Sequence, residues 1–308
     1  MKNFCSVKDV ENVAQLVEEA IALKNSNIGD GKTVGLVFFN SSLRTRLSMQ
    51  KAAQNLGMNP IVMNMKEGGW SIEFEEGAIM NSNSQEHVKD MARVMSQYCD
   101  IIGVRAFADG KSREGDYEEK VLNAFVQYST VPVISLESAT LHPLQSLADL
   151  ITIKQQGIKK PKIVVTWAPH PRPLAQAVIN SFLEWVKKIE AEVVLTHPKG
   201  YELKEEFTAK IEVNYNQEEA FKGADFVYCK SWGSYKDYGK HIGDNNDWTV
   251  TQEKMNLTNH GKFMHCLPIR RNVVATDEVI DNSLVYQQAA NRVLSAQVVL
   301  KKLIEKGY

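Results

Sequence analysis

Short runs of β-branched and aliphatic residues alternate along the chain with longer stretches in which apolar residues recur every three or four positions. Strand-like runs fall at residues 33–39, 61–65, 100–105 and 131–135, and helical spacing covers 43–56, 85–98 and 118–128 between them. An apolar run bounded by turn residues suits a strand buried on both faces, and such strands need helices on both sides of a parallel sheet. Val10, Val13, Leu16, Val17, Ala20 and Ile21 predict an opening helix with Ser6 as its N-cap. A further helix begins at His142-Pro143, its stripe formed by Leu144, Leu147, Ala148 and Ile151. The βα series then restarts, with strands at 162–167, 192–196, 225–229 and 262–265 and a last helix at 291–306. The expected fold is α/β, two doubly wound parallel-sheet domains joined by helices, with the boundary near residue 150.

The length of 308 residues agrees with two domains. With 36 basic against 37 acidic side chains, the net charge is -1, which argues against an extended nucleic-acid or membrane-surface role. Local anion sites remain open. Four scattered cysteines, Cys5, Cys99, Cys229 and Cys266, form no CxxC pair, so neither a zinc ribbon nor a disulfide framework is expected. No apolar stretch reaches the ~18 residues of a membrane span, and the N-terminus lacks a signal-peptide core. The expectation is a soluble cytoplasmic protein. Seven histidines without ligand spacing predict no metal. No GxGxxG follows a strand, and Gly29-Asp30-Gly31-Lys32-Thr33 precedes a strand instead of following one, so no nucleotide cofactor is expected.

In open parallel sheets ligands sit beyond the C-terminal ends of the strands, so the residues that follow each strand carry the chemistry. After the first comes Asn40-Ser41-Ser42-Leu43-Arg44-Thr45-Arg46, running into a helix. Hydroxyls, guanidiniums and free helix N–H groups together compose a phosphate cradle, although an N-capped surface helix with solvated arginines has the same composition. Arg105, Glu137 and His142-Pro143-Leu144-Gln145 close the later strands of the first half. Arg, His and Gln could aim N–H donors at one carbonyl oxygen, as acyl-type transfer requires. The second half adds Trp167 through Pro173, Lys230-Ser231-Trp232-Gly233, and His265-Cys266-Leu267-Pro268-Ile269-Arg270-Arg271. Cations recur at every one of these strand ends.

The set Ser41-Ser42-Leu43-Arg44-Thr45-Arg46, Arg105, His142-Pro143-Leu144-Gln145, His265-Cys266-Leu267-Pro268 and Asn291-Arg292 resembles the aspartate/ornithine carbamoyltransferase family, in family order over essentially the whole chain. The resemblance implies a carbamoyl-phosphate-binding domain at 1–150, a second-substrate domain at 151–285, and a C-terminal helix at 286–308 that returns to the first domain. It also implies a homotrimer with shared active sites, and no cofactor. Ser41, Ser42, Leu43, Arg44 and Thr45 would hold the phosphate, and Arg105, His142, Gln145 and Arg292 would engage the carbamoyl group, with Cys266 and Leu267 orienting the attacking amine.

Lys230 stands where the ornithine enzymes carry an Asp-containing loop for a free α-amino group, and a cation there is electrostatically wrong for plain ornithine. The sequence is similar instead to the branch that carbamoylates N-acylated ornithine in arginine biosynthesis. That likeness assigns Trp70, Gln85, Glu137, His170, Arg172, Lys230, Leu267 and Arg270 to the acylated amino acid, with Trp70, in Gly68-Gly69-Trp70, reaching a neighbouring subunit. Arg172 and Val274 replace lysines of the acetyl type, and neutral Gln85 replaces a Glu that would repel a distal carboxylate. A succinylated acceptor is expected, with an acetylated one as the alternative. A non-catalytic two-domain anion sensor is the rival of another class; it shares the fold but leaves the converging Arg, His, Gln and Cys-Leu groups unexplained.

Overall fold

The computed structural model describes residues 1–66 and 69–307. Gly68, one residue of the expected Gly-Gly-Trp segment, lies outside the described residues. In the first half, β1 (Thr33–Phe38), β2 (Asn59–Asn64), β5 (Ile101–Arg105) and β6 (Val133–Glu137) form one parallel sheet in the order β2-β1-β5-β6. Two-residue strands β3 (Ile72–Glu73) and β4 (Glu86–His87) pair separately. The second half forms a five-stranded parallel sheet from β7 (Lys162–Trp167), β8 (Glu192–Thr196), β9 (Glu212–Asn214), β10 (Phe226–Lys230) and β11 (Lys262–Met264), in the order β11-β10-β7-β8-β9. The winding direction reverses between β1 and β5 in one sheet and between β7 and β10 in the other. Those two switch points are where such sheets open a crevice for a ligand.

Helices cover both sheets, so β5 and β6 are buried at every position and β1 at all but its first. The connecting helix Pro143–Gln155 is buried from Pro143 through Ile153, because it is sandwiched between the two halves. The C-terminal helix Val285–Glu305 packs on Leu43–Asn55 of the first half and on the connecting helix, the return that the resemblance implied. Aromatic packing joins elements of the second half: the rings of Phe182 and Tyr228 stack with centroids 4.1 Å apart.

The predicted elements recur with shifted boundaries. Ser6 caps a short 3-10 turn, Val7–Asp9, through a reciprocal capping box with Asp9, while the helix proper is Val13–Ala22 with Asn12 as its cap. The predicted helix at 85–98 begins only at Val88, because Glu86 and His87 pair with Ile72 and Glu73. The last helix begins at Val285, six residues before its predicted start. Helix Ala177–Val186 went unpredicted: nine of its ten residues are buried, so it shows no polar face to set a period.

Candidate active site

The first half builds one wall. Strand β1 ends at Phe38, and four residues later the Ser42 hydroxyl caps helix Leu43–Asn55 by accepting from the Thr45 N–H at 3.3 Å. A register shift at Val104/Arg105 sets Arg105 opposite Glu137. The Arg105 guanidinium then donates to Glu137 Oε2 through Nε at 3.1 Å and Nη2 at 2.7 Å. Its third nitrogen, Nη1, donates to the Asn40 and Ser41 carbonyls at 3.0 Å each, which ties the serine loop to the end of β5. Arg292, from the C-terminal helix, donates to Thr45 Oγ1 at 2.7 Å, to Gln145 Oε1, and to His142 Nε2 at 3.3 Å. A guanidinium's rigid fork of donors suits such multiple positioning.

The second half faces this wall across a cavity of about 420 Å³. Its contributions are His170 beyond β7, Lys230 at the end of β10, and Cys266 through Arg270 beyond β11. Leu267 adopts the left-handed backbone region at φ 57°, with its N–H donating to His265 Nδ1 at 2.9 Å. Arg270 Nε donates to His170 Nε2 at 3.1 Å, and His170 Nδ1 lies 2.9 Å from the Arg172 carbonyl. Arg44, Arg105, Lys230, Arg270 and Arg292 all line the cavity against one lining carboxylate, Glu137. A polyanion is the ligand such a surplus suits.

Burial, reinforced by Arg292, Arg105 and Arg44, holds His142 well below the usual histidine range. It is therefore neutral, and its 3.9 Å approach to Glu137 is no ion pair. With Nε2 accepting from Arg292, the proton resides on Nδ1, a buried atom without a hydrogen-bond partner among the described residues. Burial also lowers the Arg292 guanidinium from its ordinary value and raises the Cys266 thiol, which stays protonated and is no ready nucleophile. Among the described residues, no three His, Cys, Asp or Glu side chains group so as to hold a metal ion.

Of the residues expected from the sequence, the cavity gathers Ser42, Arg44, Thr45, Arg105, Glu137, His142, Gln145, His170, Lys230, Cys266, Leu267, Arg270 and Arg292. Val274 also lines it. Ser41, Leu43, Trp70, Gln85 and Arg172 do not. Ser41 offers its carbonyl to Arg105 instead, and Leu43 is 69% exposed. Gln85 and Arg172 are exposed. Trp70 donates to Glu86 at 2.9 Å and lines a separate cavity with Met91, Val94 and Tyr98. The apolar wall of Phe107, Leu174, Ala175 and Val178 escaped the sequence reading, because nothing in an isolated apolar residue marks it as lining rather than core.

Residues 2–155 match the carbamoyl-phosphate-binding domain of the aspartate/ornithine carbamoyltransferases, and residues 174–303 match their aspartate/ornithine-binding domain. The chain is 50% identical to the N-succinylornithine carbamoyltransferase of Bacteroides thetaiotaomicron, over 99% of each chain. It is 36% identical to the N-acetylornithine carbamoyltransferase of Xylella fastidiosa, over 98% of each. Among solved structures, an acetylornithine transcarbamylase complexed with acetylcitrulline superimposes with a TM-score of 0.94 at 35% identity, covering 98% of this chain and 99% of that one. A variant of N-acetyl-L-ornithine transcarbamylase with carbamyl phosphate and N-succinyl-L-norvaline bound gives 0.93 at 35% identity, covering 98% and 100%. The chain belongs to the aspartate/ornithine carbamoyltransferase family.

Proposed function

We propose that this carbamoyltransferase moves the carbamoyl group of carbamoyl phosphate to the δ-amine of N-succinyl-L-ornithine, giving N-succinyl-L-citrulline and phosphate in arginine biosynthesis. The observation that carries the reading is the meeting of a capped helix N-terminus, four guanidiniums and a neutral histidine with the Cys266-Leu267 loop around one cavity. The phosphate would rest on Ser42, Arg44 and Thr45 with the backbone of Ser41 and Leu43, where helix N–H groups favour an anion. Arg105 would meet the carbamoyl oxygen as charge develops there, with the neutral His142 ring beside it. The free δ-amine attacks the carbamoyl carbon, the new C–N bond forms as the C–O bond to phosphate breaks, and the departing phosphate takes the amine proton. No covalent enzyme intermediate is required, in keeping with the protonated Cys266.

The acceptor reading has its own support. Lys230 and Arg270 pair with no carboxylate among the described residues, and Arg270 meets only the neutral His170. Two uncompensated cations suit the two carboxylates of a succinylated ornithine, whereas the acetyl compound carries one. Val274 supplies an uncharged surface beside them. Greater identity to the succinyl than to the acetyl enzymes points the same way. An N-acetylated acceptor is the second reading, favoured by likeness to the acetylcitrulline complex.

We also infer a homotrimer in the cytoplasm in which Trp70 and Gln85 serve a neighbouring copy's cavity and Arg172 meets the acyl group. Supporting this are the 52% exposure of Trp70, the exposed Val94 and Tyr98 near it, and four free cysteines. No helix among the described residues is long and apolar enough to cross a membrane. Ureido-product formation with carbamoyl phosphate and N-succinylornithine, N-acetylornithine, ornithine or aspartate tests the function. Turnover with the succinyl compound at least tenfold above the others is expected. Preference for the acetyl compound would overturn the acceptor, and no turnover with any would overturn the reaction.

A further inference from the structure

Behind the first wall, Asp149 is completely buried in the connecting helix, and the reaction as drawn makes no use of it. Its Oδ1 accepts from Gln145 Nε2 at 2.8 Å and from Gln288 Nε2 at 2.9 Å, and its Oδ2 accepts from the Tyr228 hydroxyl at 2.9 Å. The donors come from one turn earlier on the same helix, from the C-terminal helix, and from β10 of the second sheet. All three are neutral. A carboxylate buried against neutral donors is costly to keep, so its place asks for a reason.

The donor inventory supplies one. The nitrogen and oxygen ends of a glutamine amide are nearly equal in shape, so only hydrogen-bond partners decide which way it faces. A carboxylate only accepts. Gln145 must therefore turn Nε2 toward Asp149 and Oε1 the opposite way, toward the cavity it lines and the Arg292 guanidinium that donates to it. Gln288 obeys the same constraint: its Nε2 faces Asp149 and its Oε1 accepts the backbone N–H of His265 at 2.9 Å. His265 directly precedes Cys266 and Leu267 in the opposite wall.

We propose that Asp149 is a positioning residue for carbamoyl transfer, fixing the amide polarity of Gln145 on one side of the reacting centre and, through Gln288, the 265–267 loop on the other. One carboxylate thus sets both an acceptor for the carbamoyl nitrogen and the segment that orients the attacking amine. The inference rests on the proposed function, in which Gln145 meets the carbamoyl group. Burial raises the Asp149 carboxyl to about 6, with its hydrogen bonds and Arg292 opposing, so at neutral pH and above the group is the acceptor-only carboxylate that the argument needs.

Steady-state kinetics with carbamoyl phosphate and N-succinylornithine, at pH 8 and alongside thermal melting, test the inference on Gln145→Ala, Asp149→Asn, Gln145→Glu and the Asp149→Asn/Gln145→Glu pair. Gln145→Ala is expected to lower kcat at least tenfold; an unchanged kcat there would overturn the role of Gln145, and the proposed site with it. Asp149→Asn offers Gln145 a donor as readily as an acceptor and should lower kcat by about 10- to 100-fold, the range that misplacement of one group produces. Gln145→Glu alone sets two carboxylates in contact and should be similarly impaired. In the pair, the amide introduced at 149 donates to the carboxylate introduced at 145, restoring an acceptor that faces the cavity, while Gln288, which must turn its Oε1 to the same amide, still loses the His265 N–H, so recovery is partial. A kcat at least ~5-fold above the better single variant is expected, since coupling between contacting groups is read in this way. A purely structural Asp149 predicts additive losses instead, and a pair no better than the worse single variant overturns the inference. Should Asp149→Asn fail to fold, Gln288→Met, which keeps the packing and removes both hydrogen bonds, must lower kcat and raise the KM for the acceptor; wild-type kinetics there overturn it as well.

Discussion

Arg105 has two duties that a single substitution confuses. Its guanidinium faces the proposed carbamoyl oxygen, and it also neutralises the buried Glu137 while holding two carbonyls of the serine loop. Arg105→Ala is expected to reduce kcat by about 10²- to 10³-fold, the usual cost of removing one such donor. It should also lower the melting temperature, because a buried carboxylate left unpaired costs about 3–5 kcal/mol. Arg105→Ala/Glu137→Gln separates the effects: melting should return toward wild type while turnover stays low. Recovery of turnover in that pair would mean that Arg105 only neutralises Glu137. The strand-end position of Arg105 and the cradle composition of residues 41–46 were legible in the sequence, because chemistry at strand ends follows from the fold class. The Arg105–Glu137 pairing was not, since Glu137 reads equally well as a ligand for substrate. Asp149 was less legible still: it sits on a helix buried nearly all round, where a lone acidic residue announces neither its partners nor its depth.

At the scale of elements, the first sheet admits its covering helix only because β1 carries a glycine. A Cβ at Gly35 would lie 2.7 Å from Cys99 Sγ and 3.0 Å from Met95 Cε, both at the end of helix Val88–Tyr98. Gly35→Ala is therefore expected to destabilise by about 1–3 kcal/mol, the cost of overpacking a close-packed layer. Because the nearest obstacle is one sulfur, adding Cys99→Ala should return part of that loss, measurable as a shift of the urea midpoint. Additivity of the two changes would place the strain elsewhere. Boundaries of elements were the part of the fold least readable from the chain, for identifiable reasons. Ser6 and Asn12 are both good caps six residues apart, and periodicity alone does not say which one opens the helix. Pairing of Ile72 with Glu86 removes three residues from the start of the next helix, and that pairing spans a segment with no strand signal of its own.

For the whole molecule, near-zero net charge conceals a division: the cavity between the two switch points collects five cations against one carboxylate, which leaves the rest of the chain with an acidic excess. The same burial that tunes this cavity couples stability to pH. His142 and His265 are both held well below the ordinary histidine range, chiefly by burial. As pH falls below the unfolded value of about 6.5, the unfolded chain takes up protons that the native protein refuses, so each histidine removes up to about 1.4 kcal/mol of stability per pH unit. Asp149 acts oppositely. With its native value raised to about 6 from 3.8, it binds a proton in the folded state before the unfolded chain does, and so adds stability as pH falls from 6 toward 3.8. The urea midpoint is therefore expected to drop between pH 7.5 and 6 and to keep dropping from 6 to 5, with Asp149 offsetting part of what the two histidines remove, a window in which ordinary surface carboxylates remain charged. His265→Asn, which can still accept from the Leu267 N–H, should remove a measurable part of the drop, the rest belonging to His142 and to the lowered His170 and His197. Asp149→Asn should deepen the drop in both windows, most strongly between pH 6 and 5. A wild-type midpoint flat across the window, or one indifferent to His265→Asn, would show that the native protein takes up these protons as readily as the unfolded chain does.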